Sequence, residues 1–218
     1  MIRLLIFDMD GTIADTSAGI YASYRHVGTE MNLPLPADSE LSGVIGGSLP
    51  ANLQRVYSLA DDDVGEAVKI YRDYYAEEGY LKSELYDGFE ETVVKLISEG
   101  YSIAIATLKA QRFAVKLTKH WGISDLFCCI RGVDEKDSVT KEEMIAYCIS
   151  NYAENKDQCL MIGDAPQDYD AASANGIGFL AVTYGFCYTA DDCISSGINY
   201  ISDIMDLPRY LEENKTVI

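Results

Sequence analysis

The alternation of short apolar segments with helical patterns is the sequence feature that most restricts the fold. The candidate strands are Arg3–Phe7, Ser102–Ala106, Phe127–Arg131, Cys159–Gly163, Gly178–Thr183 and Tyr200–Ile201. The candidate helices between them are Phe89–Ser98, Gln111–Trp121, Lys141–Tyr152, Gln167–Asn175 and Asp203–Leu211. This alternation is typical of a parallel sheet covered by crossover helices. We therefore predict an α/β fold with a doubly wound, Rossmann-like parallel sheet.

One long stretch interrupts the alternation directly after the first strand. From Thr16 to about Lys82 there is no convincing strand, and apolar residues recur at helical spacing in Ser17–Met31, Leu49–Leu59 and Asp62–Glu78. This pattern predicts a helical cap domain at residues 16–82, inserted into a core formed by residues 1–15 and 83–218. The insertion begins at the carboxyl end of a strand, which is where open α/β sheets bind ligands.

Composition narrows the range of partners. The 218 residues include 17 Lys and Arg against 35 Asp and Glu, a formal net charge of −18. Nucleic acids and anionic membranes attract basic surfaces, so we expect neither as a partner. The apolar runs are far shorter than the roughly 20 residues of a membrane span. The six cysteines form no CxxC pair, so we expect reduced thiols and a cytoplasmic protein.

Two carboxylates follow the first strand, in the sequence Asp8-Met9-Asp10-Gly11-Thr12. Residues two apart in an extended chain point to the same side, so Asp8 and Asp10 should project together. Two carboxylates this close need a cation or a shared proton. Either arrangement suits phosphoryl chemistry, with one carboxylate as nucleophile and the other as proton donor and acceptor.

Later strand ends add further candidate residues. Thr107 follows the strand Ser102–Ala106 and could donate to a phosphoryl oxygen, although a lone threonine after a strand is more often a helix N-cap. Asp164 follows the strand Cys159–Gly163 and is a candidate metal ligand. Asp168 is a candidate metal ligand, either directly or through a water molecule. Asp164 or Asp168 could instead cap the helix that follows.

These residues, in this order, resemble the four motifs of the haloacid dehalogenase superfamily. The first is Asp8-Met9-Asp10-Gly11-Thr12, the second is Thr107, the third is a lysine before a helix, and the fourth is Gly163-Asp164-x-x-x-Asp168. The helical insertion is similar to the cap of phosphoglycolate phosphatase-like and β-phosphoglucomutase-like members. The resemblance covers nearly the whole chain, and its first and last motifs are the specific ones.

The resemblance implies a role for each matching residue. Asp8 would form an aspartyl-phosphate and Asp10 would be the general acid and base. Mg²⁺ would be held by the Asp8 side chain, the Asp10 backbone carbonyl and the Asp164 side chain, with Asp168 in support. Thr107 would bind the transferring phosphoryl group.

The sequence leaves open which lysine forms the third motif and which cap residues contact the substrate. Lys141, at the start of a predicted helix, is the preferred phosphate-binding lysine, with Lys136 as the alternative. A fixed cation is needed there because a carboxylate and phosphoryl oxygens crowd negative charge into one place. In the cap, Gly46, Gly47 and Ser48 form a glycine-rich loop that is a candidate for substrate contact.

These expectations together predict a Mg²⁺-dependent phosphomonoester hydrolase that acts on a small phosphorylated metabolite. Phosphoglycolate is the substrate that the resemblance suggests. A phosphosugar mutase would share every core residue and remains an alternative. A protein that accepts phosphate on Asp8 without turnover is an alternative from a different class. The sequence gives no indication of the oligomeric state.

Overall fold

The computed structural model describes residues 1–134 and 138–214. The chain divides into two compact units. One consists of Met1–Ala14 together with Leu85–Ile218, and the other of Asp15–Glu84. The first unit contains the main sheet and the second is helical.

A six-stranded parallel sheet forms the centre of the first unit. In chain order the strands are β1 (Leu4–Phe7), β2 (Ala14–Asp15), β3 (Glu84–Leu85), β4 (Ser102–Ala110), β5 (Cys129–Val133), β6 (Cys159–Gly163), β7 (Gly178–Val182) and β8 (Tyr200–Ile201). The sheet order is β5-β4-β1-β6-β7-β8, while β2 and β3 form a separate two-stranded sheet. After β1, the chain adds β4 and β5 on one side of that strand and then β6, β7 and β8 on the other, so the strand order reverses between β1 and β6. The predicted fold class is confirmed.

Helices make up most of the remaining structure. In chain order they are α1 (Ser17–Glu30), α2 (Asp38–Leu41), α3 (Leu49–Tyr57), α4 (Asp61–Glu77), α5 (Phe89–Ser98), α6 (Gln111–His120), α7 (Lys141–Tyr152), α8 (Pro166–Asn175), α9 (Ala190–Ser196) and α10 (Leu207–Glu213). Short 3-10 turns lie at Gly79–Lys82, Ser124–Leu126, Lys156–Gln158 and Ile204–Asp206. In the part of the chain that the structure describes, no helix combines the length and the apolar character that crossing a membrane requires.

The central position of β1 explains its composition. All four residues of the strand, Leu-Leu-Ile-Phe, are buried because the sheet is covered on both faces. Leu4 and Ile6 pack on one face with Met144 of α7 and Met161 of β6. This packing fixes the end of β1, and therefore Asp8, in the middle of the sheet.

Some element boundaries differ from the sequence-based expectation. The strand expected at Phe127–Arg131 spans Cys129–Val133. The strand expected to end at Ala106 continues to Ala110, and its pairing with β5 shifts register between Ala106 and Ala110. The sequence does not reveal a local irregularity of this kind, because the run of apolar residues that predicts the strand ends where the polar residues begin.

The helical unit is held together by aromatic packing. Tyr24 of α1 meets Tyr71 of α4 edge to face, with ring centroids 5.3 Å apart, and Tyr75 stacks on Tyr71 at 6.0 Å. Gly19 permits close helix packing, since a Cβ there would lie 2.1 Å from the Gly79 carbonyl oxygen. Tyrosines at helical spacing therefore form the interior of this unit.

Candidate active site

The register of the sheet brings the predicted site residues to one edge. Phe7 at the end of β1 pairs with Ile105 of β4 and Ile162 of β6. The Asp8 N–H continues this ladder and donates to the Ile162 carbonyl at 2.9 Å. Because the strands are parallel, their carboxyl ends meet at the same edge, at the point where the strand order reverses.

Three buried carboxylates lie together at this edge. Asp8, Asp164 and Asp168 each offer a carboxylate oxygen, and these oxygens all lie within 4.8 Å of one another. Asp8 is 8% exposed, Asp164 2% and Asp168 0%. We refer to these three residues as the acid cluster.

Lys141 is the cation that contacts the acid cluster. Its ammonium lies 3.0 Å from Oδ1 of Asp8 and forms a second ion pair with Oδ1 of Asp168. Burial alone would lower the pKa of Lys141, but Asp168 and Asp8 outweigh this effect and raise its pKa. The side chain therefore stays charged although it is only 5% exposed.

A capping interaction fixes the helix that carries Lys141. Lys141 is the first residue of α7, directly after Thr140. The Thr140 hydroxyl accepts from the Glu143 N–H, and the Glu143 carboxylate accepts from the Thr140 N–H at 2.9 Å. This reciprocal pair anchors the helix start and so directs Lys141 into the site.

The loop after β7 holds Asp164 from one side. The Phe186 N–H donates to Oδ2 of Asp164 at 2.7 Å, and the Tyr188 N–H donates to the Asp164 carbonyl at 2.9 Å. Gly185 allows this approach, because a Cβ there would lie 2.6 Å from Asp164 Oδ2. Burial and the nearby charge of Asp8 raise the pKa of Asp164 to about 7, although the Phe186 N–H opposes the rise.

Each carboxylate oxygen of Asp168 has its own partner. Its Oδ2 accepts from the Ala165 N–H at 3.0 Å, which is the helix-capping contact that the sequence left open. Its Oδ1 faces Lys141. Burial raises the pKa of Asp168, while Lys141 opposes that rise.

Asp10 is paired with a different lysine. Lys109 donates to Oδ1 of Asp10 at 2.7 Å and to Oδ2 at 3.1 Å. The Asp10 side chain is 12% exposed and the Lys109 side chain 7%. Gly11, which follows Asp10, has φ +80°, and a Cβ there would lie 2.3 Å from Asp164 Oδ2. The turn after Asp10 thus requires a glycine, both for its positive φ and for its close approach to Asp164.

Thr107 lies inside β4 and is 1% exposed. Its hydroxyl accepts from the Lys109 N–H at 3.2 Å. The expectation that β4 ends before Thr107 is wrong, and the residue does not cap a helix, since α6 begins at Gln111. Its role towards a phosphoryl group stays a prediction.

Gly46, Gly47, Ser48 and Lys136 are the remaining predicted residues. Gly46, Gly47 and Ser48 belong to the helical unit, where they form an exposed loop immediately before α3. Their contact with substrate stays a prediction. Lys136, the alternative to Lys141, lies outside the described residues.

Two participants in the site were missed at the sequence level. Lys109 could have been found, because it lies two residues after Thr107 and extended residues at that spacing share a side. The Phe186 N–H could not, because every residue except proline supplies the same donor and only the course of the loop selects it.

The acid cluster fits a divalent cation that prefers oxygen ligands. Among the described residues, one ammonium, that of Lys141, forms ion pairs within this group of three carboxylates, so these residues together carry excess negative charge when ionised. Oδ1 of Asp8 and Oδ1 of Asp168 are buried, and among the described residues each is paired with the Lys141 ammonium and has no further partner. Carboxylate oxygens of this kind are the preferred ligands of Mg²⁺.

The chain is an α/β protein with a doubly wound sheet and clustered aspartates at the carboxyl ends of its strands, and comparison with known proteins identifies its family. The family model described as "Haloacid dehalogenase-like hydrolase" matches residues 5–182. The chain therefore belongs to the haloacid dehalogenase-like hydrolase family, and the predicted superfamily is confirmed.

The proteins similar to this chain are named for different activities. "Tyrosine-protein kinase PtkA" from Mycobacterium tuberculosis is 30% identical over 185 residues, which cover 84% of this chain and 63% of that protein. This chain thus spans less than two thirds of the length of that relative. A "5'-nucleotidase" from Pseudomonas aeruginosa is 28% identical, with 96% of each chain covered.

Phosphatases also occur among the relatives. A "Phosphoglycolate phosphatase" from Aliivibrio fischeri is 25% identical, with 95% of this chain and 98% of that protein covered. Among solved structures, a haloacid dehalogenase-like hydrolase from Streptococcus pneumoniae has a TM-score of 0.87 and 28% identity. It covers 96% of this chain and 98% of its own.

Proposed function

We propose that this protein is a Mg²⁺-dependent phosphomonoester hydrolase that acts on a small phosphorylated metabolite through an aspartyl-phosphate on Asp8. One observation carries the proposal. The Asp8 carboxylate follows the central strand and lies beside Asp164 and Asp168, with the Lys141 ammonium 3.0 Å from its Oδ1. A nucleophile, a cation site and a fixed positive charge are the parts that phosphoryl transfer needs.

In the first step, Asp8 is the nucleophile and Asp10 is the proton donor. An oxygen of Asp8 attacks the phosphorus in line, and the bond to the leaving oxygen breaks. Asp10 gives its proton to that oxygen, so that an alcohol leaves. The Lys141 ammonium neutralises part of the charge on the phosphoryl oxygens, and Thr107 donates its hydroxyl hydrogen to one of them.

Water completes the reaction in the second step. Its oxygen attacks the phosphorus of the aspartyl-phosphate, its proton passes to Asp10, and the bond to Asp8 breaks. Phosphate leaves and the Asp8 carboxylate is restored. Asp8, Asp164 and the Asp10 backbone carbonyl would hold Mg²⁺, with Asp168 in support. When bound, the cation supplies charge neutralisation for the phosphoryl group.

The names of the relatives suggest which substrates to test. We expect small phosphate esters, with phosphoglycolate and nucleoside 5'-monophosphates as the first two classes. The net charge of −18 is compatible with a small metabolite, because the local charge at the site is altered by Lys141 and a bound cation. We expect the protein to act in the cytoplasm with its thiols reduced.

A panel of phosphomonoesters, assayed with and without Mg²⁺, tests the proposal. We expect phosphate release that requires both Mg²⁺ and Asp8. Turnover that persists in Asp8→Asn would contradict the role of Asp8. Conversion of a sugar 1-phosphate into its 6-phosphate would instead favour the mutase. Stoichiometric labelling of the protein without turnover would favour the phosphate-accepting protein.

A further inference from the structure

The buried ion pair between Asp10 and Lys109 has no role in the two proposed reaction steps. The Lys109 ammonium contacts both carboxylate oxygens of Asp10, at 2.7 and 3.1 Å. One donor group that spans both oxygens restrains rotation of the carboxylate. The side chains are 12% and 7% exposed, so solvent competes little for this contact.

The local backbone explains why Lys109 reaches Asp10. The pairing of β4 with β5 shifts register between Ala106 and Ala110, and Lys109 lies within this irregular part. Its N–H donates to the Thr107 hydroxyl at 3.2 Å. Gly132 of β5 accommodates its carbonyl, since a Cβ there would lie 2.4 Å from the Lys109 oxygen. Irregular strand ends of this kind commonly redirect side chains beside active sites.

Stability alone is a poor explanation for the pair. Removing two charges from water costs about as much free energy as their attraction returns, so a buried ion pair is weak evidence of stabilisation. The second lysine of the site, Lys141, is already directed at the acid cluster. Lys109 is instead directed at the carboxylate that gives and takes the proton in the proposed reaction.

We propose that Lys109 is a positioning residue that orients the Asp10 carboxylate for both proton transfers. The inference rests on the proposed hydrolase function. In the first step the Asp10 proton goes to the leaving oxygen, and the resulting carboxylate is held by the Lys109 ammonium, which keeps its three protons. In the second step the same carboxylate, in the same orientation, accepts the proton of the attacking water. Lys109 itself contacts neither the substrate nor phosphorus.

A double-mutant cycle on an aryl phosphate tests this role. An aryl leaving group needs little protonation, so Asp10→Asn should keep measurable turnover. In the wild-type background, we expect Lys109→Met to lower kcat roughly tenfold, a fraction of the 10²–10⁴-fold that a general acid and base contributes. KM should change less than about twofold. In the Asp10→Asn background, the same substitution should change kcat less than about twofold, because the residue it acts through is gone.

Conservative and unrelated variants separate positioning from folding. Lys109→Arg keeps a cation that can bind both oxygens of a carboxylate, so it should restore most of kcat. Lys95→Met is the matched control, since Lys95 is 59% exposed and lies 4.0 Å from a carboxylate oxygen of Glu99. We expect it to have wild-type kcat. Thermal unfolding of each variant checks that the fold persists.

The possible outcomes distinguish this inference from the proposed function. If the kcat losses of Lys109→Met and Asp10→Asn multiply, or if KM rises about tenfold, Lys109 contacts the substrate and the inference is wrong. If the Lys109 variants all match wild type, the pair has no part in turnover and the inference is equally wrong. If wild type releases no phosphate from any ester, the proposed function fails, and the inference that rests on it fails too.

Discussion

The acid cluster and the Asp10–Lys109 pair lie at the same sheet edge but differ in their charge balance. In the acid cluster, as far as the described residues show, three carboxylates share the Lys141 ammonium, and Oδ1 of Asp8 and Oδ1 of Asp168 have no other partner. In the pair, both oxygens of the Asp10 carboxylate accept from the Lys109 ammonium. The difference indicates two tasks: the first group is suited to receive a cation and a phosphoryl group, and the second is suited to hold one carboxylate in place.

Replacement of the proposed nucleophile should have the largest effect on activity. We expect Asp8→Asn to lower phosphate release at least roughly a thousandfold, because an amide oxygen cannot form the aspartyl-phosphate. Steady-state assays on the best ester of the panel measure this loss. Circular dichroism serves as the control for folding. Residual turnover within tenfold of wild type would remove Asp8 from the mechanism.

Removal of the cluster's lysine should come next. We expect Lys141→Met to lower kcat roughly 10²–10³-fold, the range found when one fixed donor to a developing charge is removed. The metal-free variant should also unfold at a lower temperature than metal-free wild type, since the three buried carboxylates lose the ammonium group beside them. Lys136→Met is the comparison variant. An effect of Lys136→Met that exceeds that of Lys141→Met would reverse the assignment.

Neutralising one acid in each group should shift stability in opposite directions. Without metal, Asp164→Asn should raise the melting temperature by a few degrees, because it removes a buried charge that burial and Asp8 disfavour. Asp10→Asn should lower it by several degrees, because it removes the carboxylate that Lys109 pairs with. Thermal unfolding in a chelating buffer measures both. Shifts of the same sign would mean that the two groups are not electrostatically distinct.

The same experiment with Mg²⁺ sharpens the comparison. A cation that binds only the folded state raises the melting temperature, and its stabilising free energy grows with the logarithm of the ratio of its concentration to its dissociation constant. We expect this increase in wild type and a much smaller one in Asp164→Asn. Lys109→Met should keep it, because Lys109 does not contact the acid cluster in the described structure.

The smallest predicted effect is on the pH dependence of stability. The pKa of Asp164 is raised to about 7 in the folded state, above its ordinary value of about 3.9 in an unfolded chain. The folded state therefore binds more protons between these values, so stability falls as pH rises through about 7. We expect the metal-free protein to melt a few degrees higher at pH 6 than at pH 8. The difference should shrink in Asp164→Asn, and a higher melting temperature at pH 8 would contradict this assignment.

The sequence allowed the acid cluster to be predicted better than the pair. Asp8 and Asp164 each follow a continuous apolar strand, and parallel strands bring such positions together without detailed knowledge of the loops. Lys109 was missed because β4 continues with shifted register beyond the apolar run that marked its expected end. The Phe186 N–H was missed because the loop after β7 carries no side-chain signal for a contact made by the backbone.

The most direct test of the central claim is to locate the phosphoryl group after a rapid acid quench. Wild-type protein is mixed with its best ester and Mg²⁺, quenched during turnover, digested and analysed by mass spectrometry. We predict one added phosphoryl group on the peptide that contains Asp8, and none on that peptide from Asp8→Asn. Turnover at full rate with the phosphoryl group on another residue, or with no labelled peptide under conditions where hydrolysis of the intermediate limits the rate, would contradict the account.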